Sequence, residues 1–102
     1  MAFDYNREEI NAIARKYAEM VKKEIPSVES IYLFGSQVSG NPGQDRDIDI
    51  AVISDGFGED IIEETLKLMR IRRKIDTRIE PHPLRKDNPF VNDIIAGGLR
   101  IG

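Results

Sequence analysis

Apolar residues recur at helical spacing in the first quarter of the chain. Ile10, Ile13, Ala14, Tyr17 and Val21 form one stripe. Asn6 with Glu9 has the form of a capping box, and Pro26 stops the run. The pattern predicts a helix over about residues 6–24 that packs on a core. The period then shortens. Residues 29–34, ending Ile31-Tyr32-Leu33-Phe34, read as a strand, and 37–40 as a single helical turn. Asn41-Pro42-Gly43-Gln44 has loop chemistry. Asp47-Ile48-Asp49-Ile50-Ala51-Val52-Ile53 alternates at first and then becomes apolar on both faces. That change predicts a central strand, buried on both sides beyond its acidic start.

Asp55-Gly56-Phe57-Gly58 breaks the chain. A helix is expected over about 60–73, boxed by Asp60 and Glu63, with Ile61, Ile62, Leu66 and Met69 as its apolar residues. Alternation then predicts a third strand over about 75–80, stopped by Pro81-His82-Pro83. A short helix near 89–96 leads through Gly97-Gly98 to Leu99-Arg100-Ile101. The sum is an α/β (α+β) chain with a small mixed sheet and helices mainly on one face. At 102 residues it is expected to be one domain spanning 1–102.

The acidic start of the second strand carries the chemistry. Residues i and i+2 of a strand share a face and lie roughly 6.5–7 Å apart. Asp47 and Asp49 therefore point the same way. At an effective dielectric near 20, two such charges repel by about 2–3 kcal/mol. A divalent cation turns that repulsion into binding, and Mg²⁺ takes one or two carboxylates and fills its shell with phosphates and water. A Gly35-Ser36 turn ten residues ahead of Asp47 adds backbone N–H groups and a hydroxyl suited to phosphate oxygens. A metal-bound nucleoside triphosphate fits both features.

Gly-Ser, ten residues, Asp-x-Asp resembles the signature of the minimal nucleotidyltransferases of the DNA polymerase beta superfamily. The order of elements over about residues 5–80 is similar as well. Arg46 departs from the small residue that many members carry before the first acid. The resemblance implies a nucleotidyltransferase fold and Mg²⁺-dependent transfer of a nucleotidyl group, AMP from ATP, to an acceptor hydroxyl. It implies two ions held by Asp47, Asp49 and a third carboxylate, with the triphosphate on Gly35 and Ser36. Asp76 follows an apolar residue at the expected strand start, as in the family pattern, and is the first choice for the third acid. Glu80, on the same face, is the alternative. The resemblance also implies an antitoxin role beside a HEPN toxin, a small helical ribonuclease that such enzymes adenylylate. A non-catalytic module that masks its partner and transfer to a small molecule are the other readings.

Composition narrows the rest. There is no cysteine, so disulfides and thiolate chemistry are excluded. A net charge of −3 argues against nucleic-acid binding through the net field. Arg70, Arg72, Arg73 and Lys74 are read as cations complementing a helix C-terminus. His82 is read as a loop residue without a task. No apolar run approaches membrane-spanning length, and a cytoplasmic protein that can form homo-oligomers is expected.

Overall fold

A computed structural model describes residues 2–35, 47–58 and 61–102. The elements in order are α1 (Ala2–Glu24), β1 (Ser30–Phe34), β2 (Ile48–Ile53), α2 (Ile61–Ile75), β3 (Ile79–Leu84), α3 (Phe90–Gly97) and β4 (Leu99–Arg100). The strands form one sheet in the order β3-β2-β1-β4. β1 runs antiparallel to both β2 and β4, and β2 pairs parallel with β3 across the α2 crossover. The mixed α/β fold is as the pattern predicts, with β2 central. The expected turn at 37–40 and the Asn41–Gln44 loop lie outside the described residues.

The larger core lies on one sheet face. Ile31, Leu33, Ile48, Ile50, Val52 and Ile79 pack there against α1 and α2. Tyr17 is fully buried and its hydroxyl donates to the Leu68 carbonyl at 2.9 Å, tying the two helices together. Burial pushes its phenol well above the usual range. On the opposite face, Tyr32, Ala51 and Ile53 meet Val91 and Ile94 of α3. Two long helices therefore cover one face, and one short helix covers part of the other.

Three features differ from expectation. Helix α1 starts at Ala2, so Asn6 is not its cap. A capping box favours a start without forbidding an earlier one, and nothing between Ala2 and Asn6 breaks a helix. In α2 the buried positions are Leu68 and Ile71, whereas Ile62 and Leu66 are 70% and 57% exposed. The stripe that faces the core is Leu68, Ile71 and the partly buried Ile75, at helical spacing.

The third difference determines which acid lies beside Asp49. Helix α2 continues through Ile75, and the third strand is Ile79–Leu84, running through both prolines. Asp76 makes the intervening turn: its Oδ1 accepts from the Arg78 N–H at 2.8 Å. Arg72 braces the turn by donating from Nη1 to the carbonyls of Thr77 and Ile79 at 3.2 and 3.0 Å. Proline is tolerated because β3 is an edge strand. The Arg78 and Leu84 carbonyls accept from Ile48 and Ser54 of the β2 side. Even-numbered residues thus direct their backbone groups inward, and Pro81 and Pro83 lack N–H groups only on the outer edge. Among the described residues no helix is long and apolar enough to cross a membrane.

Candidate active site

The chain leaves β1 through Gly35, which has φ +79°. A side chain is strained in that left-handed region. Space is a second reason for glycine: a Cβ there would lie 2.5 Å from Asp49 Oδ2. The β1–β2 register sets this approach, because Phe34 pairs with Asp49. The Gly35 turn and the Asp49 carboxylate thus meet at one end of the sheet. Asp47 precedes β2 by one residue and is exposed. Ser36 lies outside the described residues.

The parallel register supplies the other half. Asp49 pairs with Glu80, and Ala51 with His82. Paired residues in a parallel sheet share a face, so Asp49, Glu80 and His82 project together from the α3 side. Their ligand atoms all lie within 4.8 Å of one another. His82 Nε2 lies 3.2 Å from Asp49 Oδ1, where its N–H donates to the carboxylate. The Asp49 side chain is 19% exposed and that of His82 36%. The Phe34 ring meets the imidazole at 5.2 Å and 66°, and Phe90 meets Phe34 at 6.0 Å and 83°. Such edge contacts fix ring orientation.

Asp76 is engaged elsewhere, in the turn before β3. Both of its oxygens take the Arg78 guanidinium, Oδ1 from Nε at 3.0 Å and Oδ2 from Nη2 at 2.8 Å. The hydrogen-bonded guanidinium holds its carboxyl below the usual carboxylate range. The acid beside Asp49 is Glu80. His82 is a strand residue in contact with Asp49, not a loop residue beyond the strand. The sequence carried a signal for it: Glu80 and His82 repeat the i, i+2 spacing of Asp47 and Asp49. The expected proline stop hid that signal.

The donor set fits a divalent cation. Ligands about 2.1 Å from an octahedral ion sit about 3.0 Å apart when adjacent, close to the Asp49–His82 separation. The carboxylates suit a hard ion.

Comparison with known proteins agrees with this fold. A protein of Sulfolobus solfataricus described as a nucleotidyltransferase superposes with a TM-score of 0.75 at 19% identity, covering 98% of this chain and 86% of that one. A second structure described as a nucleotidyltransferase is 31% identical, with a TM-score of 0.61, over 85% of this chain and 95% of its own. A chain from the complex of a tri-AMPylated Shewanella oneidensis HEPN toxin with its MNT antitoxin gives a TM-score of 0.61 at 21% identity, covering 91% and 71%. Among curated proteins none matches. The model of the family described as polymerase beta, nucleotidyltransferase matches residues 8–101, and the chain belongs to that family.

Proposed function

We propose that this chain transfers AMP from ATP to a hydroxyl group of a HEPN-type partner protein, as the antitoxin of a toxin–antitoxin pair. The observation that carries the transferase reading is the meeting of the Gly35 turn, Asp49 and Glu80 at one end of the sheet. The partner is supported by the likeness to the Shewanella oneidensis toxin–antitoxin complex and to a toxin–antitoxin structure with AMP-PNP. The proposed place of action is the cytoplasm, where ATP is abundant.

Asp47, Asp49 and Glu80 are assigned to the divalent cations, Mg²⁺ being the reference ion, with Glu80 in the place first given to Asp76. A bound cation supplies charge neutralisation at the phosphates and a lowered pKa for the attacking hydroxyl. The chain does the rest by positioning. Gly35 and Ser36 are assigned to the β- and γ-phosphate oxygens. Before a cation binds, Asp49 is oriented by the His82 N–H. Glu80, exposed at the rim, is placed to take the acceptor proton. In-line attack at the α-phosphorus joins the nucleotidyl group to the acceptor oxygen, and pyrophosphate leaves.

The test is label transfer to a co-expressed partner with Mg²⁺ present. Label from α-³²P-ATP and none from γ-³²P-ATP is expected. Transfer of the γ label would make the chain a kinase. Neutralisation of the partner without any transfer would make it a masking module.

A further inference from the structure

Two parallel strands carry donors at i, i+2 spacing: Asp47 and Asp49 at the start of β2, and Glu80 and His82 in β3. Of these, Asp49, Glu80 and His82 share a sheet face. The second pair mixes a carboxylate with an imidazole. The register partner of His82 is Ala51, whose methyl group leaves room for the ring to lean toward Asp49. Phe34 stands edge-on to the ring at 5.2 Å, and prolines on both sides restrict the backbone that carries it. The result places Nε2 3.2 Å from Asp49 Oδ1, within the 4.8 Å group that includes Glu80.

We propose that His82 is a ligand of the cation centre, so that Asp49, Glu80 and His82 form a mixed oxygen–nitrogen site that favours Mn²⁺ over Mg²⁺. The proposal rests on the reading of the Asp49 end of the sheet as the cation centre. Adjacent ligands of an octahedral ion at about 2.1 Å are about 3.0 Å apart, so Asp49 Oδ1 and His82 Nε2 need little movement to share one ion. On binding, Nε2 turns its lone pair to the ion and the ring proton resides on Nδ1. Imidazole is a good ligand for first-row transition metals and a poor one for Mg²⁺, which favours carboxylates, phosphates and water. Mn²⁺ accepts both donor types. A nitrogen ligand therefore shifts the metal preference of a centre whose carboxylates alone suit Mg²⁺.

The test uses the full chain without nucleotide. Mn²⁺ binding is followed by electron paramagnetic resonance, and Mg²⁺ by competition. Wild type should bind Mn²⁺ at least about tenfold more tightly than Mg²⁺, and His82→Gln should shrink that ratio by about tenfold. Pulsed resonance of the Mn²⁺ complex should show coupling to a directly bound imidazole ¹⁴N, absent in His82→Gln. The wild-type spectrum needs no variant, so the test survives a variant that fails to fold. A wild-type spectrum without nitrogen coupling overturns the proposal, as does an unchanged metal ratio in a folded His82→Gln protein. Nucleotidyl transfer without nitrogen coupling overturns the ligand assignment and keeps the transferase. Nitrogen coupling without transfer in either metal keeps the ligand assignment and overturns the transferase.

Discussion

At the scale of single residues, Gly35 and Asp76 show how far side-chain chemistry alone can be read. The Gly-Ser turn is visible in the sequence, but the reason for its glycine is not. It lies in the positive φ and in the 2.5 Å that a Cβ would leave to Asp49 Oδ2. Gly35→Ala should therefore lower stability by about 1–2 kcal/mol from the backbone alone. It should also weaken Mn²⁺ binding, because the carboxylate must move aside. Urea unfolding and metal titration of the same sample check both effects; an unperturbed metal affinity would mean that Asp49 does not bind the ion. Asp76 looks equally suited to a metal in the sequence, where a carboxylate on an expected strand cannot be told from one in a turn. Its ion pair with Arg78 gives it a different signature. Its folded pKa is depressed, so its contribution to stability is complete above the unfolded value of about 3.9. That contribution is lost as pH falls through the folded value. The stability gap between wild type and Asp76→Asn should be constant from pH 7 to about pH 5 and close as the pH drops below about 4. Urea midpoints across that range measure it, and a gap independent of pH would contradict the ion pair.

At the scale of elements, β1 and β2 were legible because their apolar runs are short, β-rich and bounded by turn residues. Helix α2 and strand β3 were less so, for one reason. The segment Leu68–Ile79 satisfies two periods at once. Ile75, Thr77 and Ile79 alternate as in a strand, while Leu68, Ile71 and Ile75 continue a helical stripe. Tertiary packing decides between them: Leu68 and Ile71 reach the core beneath the sheet, and Arg72 clamps the turn that follows. The four-residue shift of the strand start leaves Asp76 in the turn and brings Glu80 and His82 into the sheet beside Asp49. Substitutions on α2 test this reading. Leu66→Lys, on the 57% exposed side, should change stability by no more than about 0.5 kcal/mol. Leu68→Ala, at a fully buried site that also receives the Tyr17 hydroxyl on its carbonyl, should cost about 2–5 kcal/mol. Denaturation midpoints of the two variants separate the stripes, and the reverse order would restore the one expected from the sequence.

At the scale of the whole molecule, the two sheet faces divide the labour. The face under α1 and α2 carries the larger core, and the opposite face is shared between α3 and the acidic end of β2 and β3. The sequence foretold this division in one place, where β2 turns from acidic to apolar along a single face. It could not foretell which strand would lie beside β2, because parallel pairing joins residues far apart in the chain. The consequence is a site where the fold gathers the Asp49 and Glu80 carboxylates and the His82 imidazole. Asp49→Asn removes one of those charges while keeping the side chain's shape and an oxygen that can still accept from His82. Without ligand, the variant should match or exceed the wild type in stability, by up to about 1–2 kcal/mol after solvent screening. With Mg²⁺ and ATP the order should reverse. A ligand at one hundred times its dissociation constant stabilises a native state by about 2.7 kcal/mol, and the proposed loss of the cation should deny the variant that gain. Thermal melts of both proteins, with and without Mg-ATP, decide the matter. An unliganded Asp49→Asn protein weaker than wild type by more than about 2 kcal/mol would mean that the carboxylate holds the sheet together through its native partners. The gathering of acids would then be part of the scaffold and not the seat of a cation.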